Sequence, residues 1–154
     1  MFMCAQNAFA WTSLGSTATY GYVCDGNFSV CKDTSGYDNM DSTHEYVNGV
    51  YALQMQSDGN LVLRHSGSAI WSTGTAGHTG ATLNFQTDGN MVLRSSTGST
   101  LWSAGTGGHI PASWCYVMSV YSDGNLVLKV GNASGNSYSC TQATAMWSSG
   151  TSGL

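Results

Sequence analysis

Three times along this chain a carboxylate, an amide and a β-branched apolar residue recur at one fixed spacing. The stretch Gln86-Thr-Asp88-Gly-Asn90-Met-Val92-Leu-Arg94 is preceded, thirty residues earlier, by Gln56-Ser-Asp58-Gly-Asn60-Leu-Val62-Leu-Arg64. Thirty-five residues later comes Tyr121-Ser-Asp123-Gly-Asn125-Leu-Val127-Leu-Lys129. A hydroxyl group donates and accepts at once, so an anionic acceptor beside an amide donor is a chemistry suited to hydroxyl-rich molecules. Self-similarity at this period also signals an architecture built from repeats.

The elements that must position these groups follow from the pattern. Asp-Gly between two alternating apolar runs is a hairpin signal. A two-residue turn at Asp88-Gly89 would pair Phe85 with Val92 and Gln86 with Met91, mixing polar and apolar partners. A three-residue loop with Gly89 left-handed instead pairs Phe85 with Met91 and Leu83 with Leu93. The same register pairs Met55 with Leu61 and Leu53 with Leu63, then Val120 with Leu126 and Met118 with Leu128. A slip of one residue would expose half of each set, so the three-residue loop is expected. One face of each hairpin is then a core face, and the other carries Gln, Asn, Val and Arg in a row beside the turn Asp. Each hairpin leads to a Trp strand with a small-residue exit: Trp71-Ser-Thr-Gly74, Trp102-Ser-Ala-Gly105 and Trp147-Ser-Ser-Gly150. The three Trp are expected to fill a shared axis, with Leu63, Leu93 and Leu128 pointing inward.

Composition narrows the class. The chain has 154 residues, twenty Gly, 8% charged residues and a net charge of −4. Short apolar runs and abundant turn residues predict an all-β domain. Four Lys plus Arg in total argue against nucleic acid, and no apolar run has the length for membrane insertion. The opening Met1-Phe-Met-Cys4 lacks the basic region and long apolar run of a signal peptide.

Residues 1–46 carry a worn copy of the pattern and a linker, ahead of three full repeats in 47–154. Trp11-Thr-Ser-Leu-Gly15 matches the Trp exits, and Tyr22-Val-Cys-Asp25-Gly-Asn27-Phe-Ser-Val30 matches the hairpin. The three-residue register would pair Tyr22 with Phe28 and Tyr20 with Val30. Its outer row is Val23, Asn27, Ser29 and Cys31, so this degenerate repeat reads as structural. Residues 32–45 are polar and aperiodic, and read as a loop or linker. No helical period runs beyond one turn.

Gln-x-Asp-x-Asn-x-Val-x-Tyr, three times in about 110 residues with a Trp strand after each, is the pattern of the bulb-type (snowdrop-like, monocot) mannose-binding lectins, and the chain resembles them over roughly 47–153. The resemblance implies a β-prism II: three four-stranded antiparallel sheets in a pseudo-threefold arrangement. It also implies no catalysis, no metal or cofactor, and one sugar site per repeat. In the family Asp and Asn bond the axial 2-hydroxyl of mannose, Gln the 3-hydroxyl and Tyr the 4-hydroxyl, while Val packs on ring carbons. Carried over, these roles fall on Gln56, Asp58, Asn60 and Val62, on Gln86, Asp88, Asn90 and Val92, and on Asp123, Asn125 and Val127. The Tyr position is Arg64, Arg94 and Lys129, and Tyr121 replaces the third Gln. A cation donates to a hydroxyl but does not accept from it.

Other constellations are weaker. Asp-Gly-Asn hints at calcium, but its acidic ligands come singly. His78 and His109 follow their Trp by seven residues and read as loop residues, while His44, Glu45 and His65 have neither triad nor zinc spacing. Asn27-Phe-Ser29 and Asn132-Ala-Ser134 are short glycosylation acceptors. Two classes of function remain: a multivalent lectin for mannose-rich glycans, in which homo-oligomers would multiply the sites, or a protein-interaction or toxin-like module that keeps the prism with decayed sugar sites.

Five cysteines leave at least one unpaired in a monomer. Cys115 and Cys140 flank the third hairpin, where the distance from Asp to Trp grows from 13 and 14 residues to 24. A bridge tying down that insertion implies an oxidising, secreted or extracellular setting. Non-reducing peptide mapping is expected to recover the Cys115 and Cys140 peptides linked; two free thiols would refute the bridge.

Overall fold

The computed structural model describes residues 9–10, 20–24, 27–32, 39–43, 45–86, 88–108, 114–134 and 137–154, with side chains for 40–43, 45–86, 88–108, 118–129 and 144–154. All regular structure among them is strand. The N-terminal part contributes β1 (Phe9–Ala10), β2 (Tyr20–Cys24), β3 (Asn27–Lys32), β4 (Asn39–Met40) and β5 (Glu45–Asn48). The first repeat follows as β6 (Tyr51–Met55), β7 (Leu61–His65) and β8 (Ser68–Ser72), and the second as β9 (Thr82–Phe85), β10 (Met91–Arg94) and β11 (Thr100–Ser103). The third is β12 (Trp114–Val120), β13 (Leu126–Ser134) and β14 (Ser137–Ser148).

Three antiparallel sheets result, one per repeat. They run β5-β6-β7-β8, β4-β9-β10-β11 and β1-β2-β3-β12-β13-β14. The expected four strands are present in two sheets, and the third is widened to six by β1 and β2. Each repeat supplies three strands, and the N-terminal part supplies the fourth in reverse order: β5 to the first sheet, β4 to the second, β3 to the third. Residues 32–45 are therefore more than a linker. Met40 on β4 pairs with Leu83 and is completely buried.

Register in the repeats follows the apolar pattern. Met55 faces Leu61 and Leu53 faces Leu63; Phe85 faces Met91 and Leu83 faces Leu93; Val120 faces Leu126 and Met118 faces Leu128. Each turn is a three-residue loop whose glycine, Gly59, Gly89 or Gly124, has φ of 88°, a conformation that side chains with a Cβ resist. The N-terminal hairpin departs from this rule. Cys24 pairs with Asn27, Val23 with Phe28 and Tyr22 with Ser29, so the expected Tyr22–Phe28 pairing is wrong. The reason lies on the other side of β3, where Phe28 and Val30 register with Val120 and Met118.

A single core joins the sheets. Leu53, Met55, Leu61, Leu63, Leu83, Met91, Leu93, Leu126 and Leu128 are all 0% exposed. Trp71, Trp102 and Trp147 meet around the pseudo-threefold axis, with ring centroids 5.8, 5.5 and 5.4 Å apart and each pair edge to face. Such pairs add to burial through complementary ring edges and faces. The triad is partly buried and packs against the core, filling the shared axis as expected. Each Trp follows a β-bulge: Leu63 pairs with Trp71 but Arg64 with Ala69, and Leu93–Trp102/Arg94–Thr100 and Leu128–Trp147/Lys129–Ala145 repeat the shift. The extra residues are Ile70, Leu101 and Met146.

Removing a core side chain should therefore be costly and similar in every repeat. Leu93→Ala should destabilise by about 2–5 kcal/mol, and Trp102→Ala by about 3 kcal/mol, the lower end for an indole because this one is only partly buried. Chemical denaturation measures both. A loss below about 1 kcal/mol for Trp102→Ala would mean that the triad does not support the core.

Candidate functional site

The outer face of each hairpin brings the motif residues together at the loop. In the first repeat the Gln56 N–H donates to the Asn60 carbonyl at 2.9 Å and the Gly59 N–H to the Gln56 carbonyl at 3.0 Å. The second and third loops repeat this within 0.1 Å, at 2.9 and 3.0 Å from Gln86 and Gly89 and at 2.8 and 3.0 Å from Tyr121 and Gly124. Asp58, Asp88 and Asp123 stand at the turn, each Oδ1 accepting from the backbone N–H of the Asn two residues on, at 3.0, 2.9 and 3.0 Å. The Asp is thus a turn residue as well as a candidate ligand-binding group.

The Asn side chains are held by the exit that follows each Trp. Asn60 Oδ1 accepts from Thr73 Oγ1 and from the Thr75 N–H, both at 3.1 Å. Asn90 Oδ1 accepts from Ser103 Oγ and the Thr106 N–H, both at 3.1 Å. Asn125 Oδ1 accepts from Ser148 Oγ at 2.9 Å, Ser149 Oγ at 3.2 Å and the Thr151 N–H at 3.4 Å. A backbone N–H only donates, so the atom facing it is the carboxamide oxygen. The amide nitrogen of each Asn is left as the group with hydrogens to offer a ligand.

Thr75, Thr106 and Thr151 complete the clamp. They are 7, 3 and 3% exposed, and each donates its hydroxyl to the loop-glycine carbonyl, at 2.8, 2.7 and 2.7 Å. Sequence reasoning stopped one residue short of them. The signal was there in Trp-Ser-x-Gly-Thr, whose Thr follows every Trp by four residues.

The three sites then diverge. Among the described residues Asp58 and Asp88 accept nothing further at Oδ2, whereas Ser152 Oγ donates to Asp123 Oδ2 at 3.0 Å. Gln56 and Gln86 are half-buried beside their Asn. At the third site Lys129 Nζ lies 4.5 Å from the centroid of the Tyr121 ring, a cation–π contact across the row. Arg64 Nη1 donates to the Gly67 carbonyl at 2.9 Å, and Arg94 Nη1 to the Gly98 carbonyl at 3.1 Å. Both guanidinium groups are drawn toward the far turn, away from Asp and Asn. Val62, Val92 and Val127 lie on the outer row yet are 3, 3 and 6% exposed, so they form the floor of each strip.

Among the described residues no three His, Cys, Asp or Glu side chains gather as metal ligands, and no helix is long and apolar enough to cross a membrane. His78 is an exposed loop residue; His44 and His109 lie outside the described residues. The side chains of Cys115 and Cys140 lie outside them as well, on β12 and β14.

No protein-family model matches the chain. A mannose-specific lectin of Aloe arborescens is 37% identical over 89 residues, which span 55% of this chain and 78% of that protein. Among solved structures, a monomeric monocot mannose-binding lectin from Gastrodia elata superposes with a TM-score of 0.63 at 26% identity, covering 80% of this chain and 97% of that one. The mannose-specific agglutinin of snowdrop (Galanthus nivalis), solved with methyl-α-D-mannoside, gives 0.55 at 28% identity over 71% and 96%. With three pseudo-symmetric sheets, a shared Trp axis and these relatives, the chain belongs to the bulb-type monocot mannose-binding lectin family and has its β-prism II fold.

Proposed function

We propose that this protein is a carbohydrate-binding lectin that recognises mannose or mannose-rich glycans through the first two sites. The observation that carries this reading is the clamp on Asn60 and Asn90, which turns an amide donor outward beside a carboxylate oxygen that accepts nothing else among the described residues. Donor and acceptor together match a sugar hydroxyl. The relatives are lectins, so binding without catalysis is the natural extension. An extracellular setting suits such a ligand.

Each strip is shallow, so a single mannose ring should bind on the order of millimolar. Useful strength comes from engaging two sites on one branched glycan or surface. The third repeat favours the second reading, a prism that keeps its fold with a decayed sugar site: its Asp is bonded by Ser152 and its Gln is a Tyr stacked under Lys129.

Two substitutions test the assignment. The doubly substituted Asp58→Ala, Asp88→Ala protein should lose nearly all avidity for an oligomannose surface. Each replacement also removes the Asp–Asn backbone bond of its turn, at about 1 kcal/mol per site, which a melting curve will register. Full retention of binding would show that the strip is not the site. Asn60→Asp with Asn90→Asp is the sharper probe, because an aspartate still accepts from Thr75 and Thr106 but has no hydrogens to offer. Titration with methyl mannoside should show binding lost while cooperative unfolding persists. Unchanged affinity would rule out the outward amide as the recognition group.

A further inference from the structure

The chain contains only four Lys plus Arg, and three of them, Arg64, Arg94 and Lys129, occupy one equivalent position on the outer faces of the three sheets. All three are half-buried, and none has an ion-pair partner among the described residues. A partly desolvated charge without a counter-charge is unfavourable unless something else supplies the opposite sign. The net charge of −4 makes the placement more pointed, since the remaining surface repels anions.

Each of the two arginines is held through one nitrogen of its fork. Arg64 uses Nη1 on one turn carbonyl. Arg94 uses Nη1 on the Gly98 carbonyl and, at 3.5 Å, on Thr100 Oγ1. Nε and Nη2 remain for a planar or tetrahedral anion, which a guanidinium meets with two parallel bonds. The neighbours across the sheet are small: Ala52 and Ala69 beside Arg64, Thr82 and Thr100 beside Arg94. Four residues separate Arg64 from Asn60, about 13 Å of strand, so cation and Asp–Asn pair address opposite ends of one strip. The third cation is already occupied by the Tyr121 ring.

We infer that the first two sites take acidic glycans, in which sugar hydroxyls meet Asp and Asn while a carboxylate or phosphate substituent meets Arg64 or Arg94. This rests on the sugar-binding reading of the same strips. Because about 13 Å exceeds the reach of one ring, the shared chemistry is an oligosaccharide with a mannose ring at Asp and Asn and an anion on the neighbouring sugar, which either a uronic acid or a sugar phosphate would provide.

Calorimetric titration of the whole protein with a neutral mannobiose, the same disaccharide with a uronic acid as its second ring, and the same disaccharide with a phosphate on its second ring tests the inference. At low salt at least one acidic probe should bind about fivefold more tightly than the neutral one, as one ionic contact allows. That advantage should shrink as ionic strength rises toward 1 M. A preference for the uronate or for the phosphate identifies the anion. In Arg64→Gln, Arg94→Gln protein the ratio of acidic to neutral affinity should fall to about one. Equal affinities in the unsubstituted protein, or a ratio untouched by the arginine changes, would overturn the inference. Neutral binding that depends on Asp58 and Asp88 but shows no acidic preference would leave the lectin reading standing; silence toward all three probes would remove both. The salt dependence needs no variant, so it decides the matter even if the double substitution fails to fold.

Discussion

A carboxamide oxygen holds each corner of the prism in place. Asn60, Asn90 and Asn125 leave the hairpin loop and accept hydrogens from the exit beyond the Trp, while the exit threonine returns a hydroxyl to the loop glycine. Each bond contributes roughly 1 kcal/mol net, but leaving a buried partner unsatisfied costs about 1–3 kcal/mol. The clamp is thus maintained chiefly by what its absence would cost. It also decides which atom of the amide faces outward. Fold and recognition therefore share one interaction, and a side chain spent on structure becomes, through its other end, the donor of the site.

The same dependence explains how the repeats can diverge without unsettling the fold. The clamp and the loop geometry are nearly identical in all three, down to a glycine φ of 88°. Differences gather on atoms that the clamp leaves over: Asp Oδ2, the Gln or Tyr before the loop, and the terminal cation. Ser152 satisfies Asp123, and Tyr121 receives Lys129. The third strip engages its Asp Oδ2 and its cation internally, whereas among the described residues the first two engage only their arginines, on turn carbonyls.

Hairpin registers, the inward leucines and the meeting of the three indoles were legible because a period of two allows only one arrangement to bury every apolar residue. What escaped reading was set by contacts between segments far apart in sequence. Nothing local marks Asn39-Met40 as a strand; its partner is Asn84-Leu83. The N-terminal register is imposed through β3 by β12, so its own Asp-Gly misled. The bulges could have been suspected from two adjacent apolar residues, Ile70-Trp71, Leu101-Trp102 and Met146-Trp147, which a regular alternating strand would not place on one side. At the site, motif positions were visible, but not that Val62 and Val92 would be nearly covered, nor that the arginines would bind turn carbonyls. Those outcomes depend on neighbours across the sheet.

The reverse allotment of β5, β4 and β3 to the first, second and third sheets bears on how the chain assembles. β5 meets β6 across a tight turn, so the first sheet can close as soon as its own residues are available. β4 must wait for the second hairpin, and β3 for the third, more than half the chain away. Loop closure grows more demanding with each sheet, and contacts so distant in sequence slow folding. The order of closure is then first, second, third, with the six-stranded sheet last and its hairpin edge exposed longest. An unpaired β12 edge during that interval is a template for a strand from another molecule, so the topology that makes the finished prism continuous also makes the third sheet its most vulnerable side during synthesis.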